Sequence, residues 1–245
     1  MFDAKKIKNK IVDWIKDHFQ HNASPETKAI IGISGGKDSS VVAALCAEAL
    51  GKNRVLGVLL PQGIQHDIHI AYELCETLDI PRVEINIEDA VRSLYDEMEQ
   101  AGLQLNDIAT SNTPARVRMT VLYAVSGMVG GRVANTSNLS EDWVGYATKF
   151  GDSAGDFSPL SDLTVAEVEA VGRELGLAPK FIDKTPEDGL CGRSDEENLG
   201  FSYAVLDRYI REGVCDDAEV KEKIDRLHQV NLHKINPMPK FELEF

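Results

Sequence analysis

The segment that most constrains this chain is Lys28 to Ser39, KAIIGISGGKDS. Lys28 to Ser34 is a short β-branched run, the pattern of a buried parallel strand. Gly35 and Gly36 turn it into an Ala- and Leu-rich helix, Asp38 to Leu50, which Gly51 stops. A strand, a glycine turn and a helix N-terminus in this order aim successive backbone N–H groups at one point, and the helix dipole adds positive potential. The glycines let an anion approach the backbone without meeting a Cβ. Ser34 and Ser39 add hydroxyls and Lys37 adds a charge. The expected ligand is a pyrophosphate. The spacing is neither that of a Walker A loop nor GxGxxG. Asp38 runs against the pattern, because a carboxylate repels phosphate. The conflict disappears if Asp38 holds Mg²⁺, which takes carboxylate and phosphate oxygens together; the simpler role is a cap on the following helix.

The alternation then repeats. Arg54 to Leu60 and Arg82 to Ile87 read as strands, with helices over Ile64 to Leu78 and onward to about Gln100. Thr113 to Met128 reads as a helix and Gly131 to Ala134 as a short strand entering NTSN. An amphipathic helix, residues 3–20, precedes them, with Ile7, Ile11, Trp14, Ile15 and His18 on one face. The order predicts an α/β fold: a doubly wound, mostly parallel sheet with helices on both faces. Thr164 with Glu167, and Ser194 with Glu197, have the capping-box spacing for helices to about Leu175 and through Tyr209. Asp183 to Arg193 holds Pro186, Gly189 and Gly192 without periodicity, and is expected to be a mobile loop that closes over a reactive intermediate. No linker divides residues 1–245, so one domain is expected.

Composition narrows the function classes. Lys plus Arg number 26 against 40 Asp plus Glu, a formal charge of −14, so a nucleic-acid partner is not expected. The most apolar stretch, Val41 to Leu50, is too short for a membrane span and contains Glu48. The N-terminus has no signal-peptide core. Cys46, Cys75, Cys191 and Cys215 form no CxxC pair, and the expected compartment is the reducing cytosol.

SGGKDS resembles the SGGxDS loop of the ATP pyrophosphatases, which split ATP into AMP and pyrophosphate, and within them the chain resembles the NAD synthetases. The likeness is carried by Thr113-Pro114-Ala115-Arg116-Val117-Arg118-Met119, similar to the family's ARxRM stretch, and by Asn135-Thr136-Ser137-Asn138-Leu139-Ser140-Glu141, similar to NTSNxSE. Further matches are Lys149-Phe150-Gly151-Asp152 with Asp156 and Pro159-Leu160, then Thr185-Pro186, Ser194-Asp195-Glu196 and His233-Lys234. The elements follow the family's order from about Lys28 to Lys234.

The resemblance implies an adenine nucleotide α-hydrolase-like, Rossmann-like fold and a ligase forming a C–N bond, acting at the last step of NAD biosynthesis. Gly32, Ile33, Ser34, Gly35, Gly36, Lys37, Asp38 and Ser39 would bind ATP phosphates, with Thr136 and Thr185 also touching ATP. Asp38 and Glu141 would hold Mg²⁺. Arg116, Lys149, Asp156, His233 and Lys234 would contact deamido-NAD. Asp38 and Lys37 would serve catalysis, with Asp152 a candidate acceptor of the proton from ammonium. Glutamine-dependent relatives carry an added amidase domain for which 245 residues leave no room, so ammonia is the implied donor. A cytoplasmic homodimer is implied, for which the Val117, Val121, Ala124, Val125 and Met128 stripe is a candidate face; the simpler reading turns that stripe to its own core. Two positions depart from the family pattern. Many members have TDHxxE where this chain has Thr136 to Glu141. Many also have an ATP-contacting Lys where Val165 stands, a contact Lys180 or Lys184 would have to replace. The alternatives are another ATP pyrophosphatase, of GMP synthetase or tRNA-modifying type, and a non-catalytic ATP-binding regulator.

Overall fold

The computed structural model describes residues 2–183 and 195–243. Among them, β1 (Lys28–Gly32), β2 (Val55–Leu59), β3 (Arg82–Glu84) and β4 (Gly131–Val133) form one parallel sheet in the order β3-β2-β1-β4. Ile30 lies opposite both Leu56 and Val133. α1 (Ala4–Asn22), α2 (Lys37–Leu50), α3 (Ile68–Thr77), α4 (Glu88–Gln100) and α5 (Asp107–Val129) belong to the same half of the chain. α6 (Leu139–Val144), α7 (Val165–Glu174), α8 (Pro179–Ile182), α9 (Asp195–Leu199), α10 (Tyr203–Glu212) and α11 (Ala218–Ile235) follow.

The two-residue period of the strands explains why both faces of the sheet are covered. Ala29, Ile31 and Ile33 point one way, with Val55 and Leu59, into a core closed by α1, α2, α3 and α7. Ile30, Leu56, Val58 and Val133 point the other way, against Val91 of α4 and Val117, Leu122 and Val125 of α5. A smaller third cluster joins Val144, Leu206 and Ile224 of α6, α10 and α11. The doubly wound reading is thereby realised. Cys46 and Cys75 are buried and free, and burial pushes their thiols up to about 12 and about 11. No helix among the described residues is long and apolar enough to cross a membrane.

The chain reverses direction at β1. From β1 it winds through β2 to β3, then returns across the sheet to β4 on the other side. The C-terminal ends of β1 and β4 therefore diverge and open a crevice, the usual ligand position in such sheets.

Several elements differ from expectation. α5 begins at Asp107, not Thr113, because Asn106 caps it by accepting from the Ala109 N–H at 2.9 Å. Pro114 inside it removes a donor to the Thr110 carbonyl, and the Tyr95 hydroxyl donates there instead at 3.0 Å. The helix expected through Tyr209 is interrupted between α9 and α10 at Gly200, φ +75°. β3 is shorter than the run to Ile87, and α3 starts at Ile68. α6, α8 and α11 were not anticipated. The stripe on α5 divides: Val117 and Val125 face the core, whereas Met128 is 83% exposed. The expected loop from Asp183 to Arg193, with Thr185, and the Ser194 cap lie outside the described residues beyond Asp183 itself.

Gly131 sits where β4 meets β1, and a Cβ there would stand 2.4 Å from Ile30 Cγ1. Gly131→Ala is expected to cost about 1–3 kcal/mol by overpacking, a fall in Tm of roughly 2–12 °C for a chain of this size. Differential scanning calorimetry checks it; an unchanged Tm would mean that the strands separate at little cost.

Candidate active site

Two segments leave the sheet at the crevice: Ile33 to Gly36 after β1, and Ala134 to Asn138 after β4. The first is stitched by its own hydroxyls. Gly36 N donates to Ser34 Oγ at 3.2 Å, and Ser39 and Ser40 donate to the Gly36 carbonyl at 3.1 and 2.8 Å. Gly35 takes φ +81°, a conformation that favours glycine. Gly36 is the N-cap of α2 and no side chain caps it, so the first turn presents its amides to an incoming anion.

The second segment supplies the opposite wall. Asn135 is buried and acts as a backbone splice. Its Nδ2 donates to the Asp152 carbonyl at 2.9 Å, and its Oδ1 accepts from Ser137 N at 3.0 Å and Ser158 Oγ at 2.9 Å. Asn138, 0% exposed, caps α6: its Oδ1 accepts from Glu141 N at 3.0 Å, while the Glu141 carboxylate accepts from Asn138 N at 3.4 Å. That reciprocal pair is a capping box. The free amide of Asn138 then donates to Asp38 Oδ1 at 3.0 Å, joining the two walls.

The resulting cleft is lined by Ser34, Gly36, Asp38, Ser39, Thr136, Ser137, Glu141 and Asp152. Three carboxylates line it, Asp38, Glu141 and Asp152, and the Lys37 ammonium lies within 4.0 Å of the first two. Burial and then Asp38 push the Glu141 carboxyl well above its ordinary range, with Lys37 opposing. A buried carboxyl beside a second carboxylate is a group that a divalent ion would relieve. No set of three metal-ligating side chains is grouped among the described residues. The Asp38 and Glu141 pair suits Mg²⁺, which binds through one or two carboxylates plus phosphate oxygens.

A second cleft of about 340 Å³ is lined by Asn135, Asp142, Ser153, Gly155, Asp156, Phe157, Ser158, Ser161, Lys234 and Ile235. The two clefts adjoin without sharing a lining residue. Sequence neighbours face one cleft and the other: Asn135 the second and Thr136 the first, Glu141 the first and Asp142 the second, Asp152 the first and Ser153 the second. Burial raises the Asp152 carboxyl, with hydrogen bonds from Thr148 opposing. Burial lowers Lys234, with Asp152 opposing.

The expected residues fall into groups. Ser34, Gly36, Asp38, Ser39, Thr136, Glu141 and Asp152 meet in the first cleft. Gly32 and Ile33 belong to strand and core, and with Gly35 and Lys37 are not among the cleft's lining. The Lys37 ammonium turns behind the carboxylates, 3.0 Å from Asp38 Oδ2. Asp156 and Lys234 line the second cleft, and Asp156 Oδ2 also accepts from Val133 N at 2.7 Å. Arg116, Lys149 and His233 come together beside it: Arg116 Nε donates to the Lys149 carbonyl at 3.2 Å, and Lys149 Nζ donates to the His233 carbonyl. Lys180 pairs with Glu73 on the surface and does not stand in for the missing lysine. The sequence reading gave Asn138, Ser137, Asp142 and Asp195 no role. Asn138 with Glu141 has the N-cap spacing that marks it; Asp195 falls in the Ser194-Asp195-Glu196 match, but only the fold shows its contact with the Tyr203 hydroxyl.

The NAD synthase family model matches residues 7–241. The NH3-dependent NAD⁺ synthetase of Thermococcus sibiricus is 38% identical over 234 residues, 95% of this chain and 90% of that one. The structure of NMN synthetase from Francisella tularensis superposes with TM-score 0.91 at 31% identity, covering 99% of this chain and 100% of that one. The NH3-dependent NAD synthetase of Campylobacter jejuni, in complex with nitrate, superposes with TM-score 0.80 at 27% identity, covering 99% and 100%.

Asp142 provides a test of the electrostatics. Burial, then Asp152, pushes its carboxyl up to about 6 from 3.8. A raised carboxyl binds more protons folded than unfolded, so its contribution to stability is lost as pH rises from about 4 to about 6. Asp142→Asn is expected to melt higher than wild type near pH 7.5, the gain shrinking as pH falls through about 6. Melting curves across that range check it; a gain independent of pH contradicts the assignment.

Proposed function

The chain belongs to the NAD synthase family, and from that premise we propose that it amidates deamido-NAD to NAD, taking nitrogen from free ammonia and driving force from cleavage of ATP to AMP and pyrophosphate. The observation that carries this reading is that the two clefts adjoin along the same three segments. One has the form of a polyphosphate cradle and includes Asp152, and the adjoining one holds the Lys234 cation, which interacts with Asp152. A reaction that joins an acceptor carboxylate to the α-phosphorus of ATP needs two such sites meeting at one point.

In this reading the ATP phosphates lie on the Ser34, Gly36 and Ser39 loop and the first turn of α2, with Thr136 on the nucleotide. Asp38 and Glu141 would hold Mg²⁺, which supplies charge neutralisation to the phosphates when bound. The acceptor lies in the second cleft, with Lys234 and Asp156 at its wall and Arg116, Lys149 and His233 at its rim. Its pyridine carboxylate attacks the α-phosphorus, and pyrophosphate leaves into the cradle, where the α2 amides stabilise the departing charge. Ammonia then attacks the acyl adenylate and displaces AMP. Asp152, whose raised carboxyl makes it a better base than an exposed aspartate, takes the proton from ammonium. The proposed form is a cytoplasmic homodimer; α5 leaves Ile108, Tyr123, Met128 and Val129 exposed on its outer side.

A second reading concerns the acceptor. The Francisella NMN synthetase superposes more closely than the Campylobacter NAD synthetase. An NMN-forming enzyme would amidate the mononucleotide, nicotinate mononucleotide, by the same chemistry. Incubation with ATP, ammonium and each acceptor, followed by chromatography, decides between them. The expected result is NAD from deamido-NAD, with kcat/KM at least about tenfold above the mononucleotide. The reverse order would make the chain an NMN-forming enzyme, and no AMP with either would remove the ligase reading. Asp38→Asn is expected to lower pyrophosphate release by at least about a hundredfold with an unchanged circular dichroism spectrum; near-normal release would take Asp38 out of the site.

A further inference from the structure

Lys37 occupies the variable position of the SGGxDS loop, yet its ammonium does not reach the cleft. Its side chain is 3% exposed. It lies 3.0 Å from Asp38 Oδ2 and 4.0 Å from Glu141 Oε1. Its far side rests over the ring of Tyr203, 5.8 Å from the centroid. The Tyr203 hydroxyl donates to Asp195 Oδ2 at 3.3 Å, and Asp195 is itself 6% exposed. One ammonium thus stands between two carboxylates, Asp38 and Glu141, with an aromatic face behind it whose hydroxyl is held by a third, Asp195.

Both oxygens of Asp38 are engaged. Oδ1 accepts from Asn138, which the α6 capping box holds in place, and Oδ2 accepts from Lys37. A divalent ion approaching without nucleotide therefore meets carboxylates already neutralised by an internal cation that loses little entropy by staying. An ion arriving with ATP brings phosphate oxygens of its own and needs less from the protein. We propose that Lys37, set against the Tyr203 ring that Asp195 anchors, is the internal counter-cation of the Asp38 and Glu141 clamp, and that it makes divalent metal binding conditional on ATP. Lys37 is then a positioning residue acting on the clamp and not a phosphate ligand. This rests on the reading above that Asp38 and Glu141 receive the metal.

The test is Mn²⁺ binding to the whole protein by electron paramagnetic resonance, with and without ATP. In wild type, binding is expected to be weak with Mn²⁺ alone and strong with ATP. Lys37→Gln, which keeps an amide to donate to Asp38, is expected to bind Mn²⁺ alone at least about tenfold more tightly. Asp195→Asn leaves the Lys37 charge entirely on Asp38 and Glu141, and is expected to bind Mn²⁺ alone more weakly than wild type. Opposite shifts from two neighbouring substitutions are not produced by general damage. Should Lys37→Gln be poorly folded, its Tm is expected to rise with Mn²⁺ alone while that of wild type does not. Unchanged or weaker binding in Lys37→Gln, or unchanged or tighter binding in Asp195→Asn, overturns the inference while ATP-dependent Mn²⁺ binding leaves the clamp standing. Absence of Mn²⁺ binding in wild type even with ATP overturns both.

Discussion

One hydrogen bond joins segments a hundred residues apart and makes them a single site: the Asn138 amide donating to Asp38 Oδ1. Asp38 is carried by the first turn of α2, directly after β1, and Asn138 caps the helix that follows β4. Strand pairing alone brings the two C-terminal ends near one another. The side-chain contact sets how the carboxylate faces, and its donor Asn138 is fully buried, so a misplaced amide there would be costly. Asn138 uses its remaining polar groups on α6, and Glu141 returns the bond. The same residue therefore orients one carboxylate through its amide and the other through the cap.

That device addresses an electrostatic difficulty. The chain is acidic overall, and its substrates in the proposed reaction are anions. The site meets this with groups that carry little formal charge: open α2 amides, the Ser34 and Ser39 hydroxyls, and the Thr136 side chain. Formal cations are placed at the edges, with Lys234 at the second cleft and Lys37 behind the carboxylates. Cations held apart from the phosphates leave room for a metal between carboxylate and phosphate, which a lysine in the cleft would displace.

The third cluster around α6, α10 and α11 performs a supporting task. Buried Asp207 of α10 accepts from Ser140 Oγ at 2.5 Å and from Ala166 N at 2.9 Å, and Ser140 Oγ accepts from Val165 N at 3.2 Å. One carboxylate and one hydroxyl thus tie α6, α7 and α10 into a block behind the clamp. Gly145 ends α6 at φ +65°, and Asn231 of α11 lies so close that a Cβ there would stand 2.1 Å from Asn231 Cβ. Through this contact α11 brings Lys234 to the second cleft, where its Nζ donates to the Gly145 carbonyl at 2.7 Å.

What the sequence determined by itself is the part governed by short-range rules. The period-two run of Lys28 to Ser34, the glycine turn and the α2 signal define strand, cradle and helix because their causes lie within a few residues. The order of alternating elements implies the two-faced sheet for the same reason. Local pattern was less informative where a neighbour compensates from afar. α5 continues through Pro114 because Tyr95, on another helix, meets the abandoned carbonyl. The helix expected through Tyr209 divides at Gly200, whose freedom to adopt a positive φ could be used either way. Only the tertiary structure decided that Lys37 turns inward against the Tyr203 ring and that Asn138 donates to Asp38. Those outcomes depend on which charges share a low-dielectric space, and that is fixed by the packing of α6, α7, α9 and α10 with one another, not by the residues beside Lys37 in the chain.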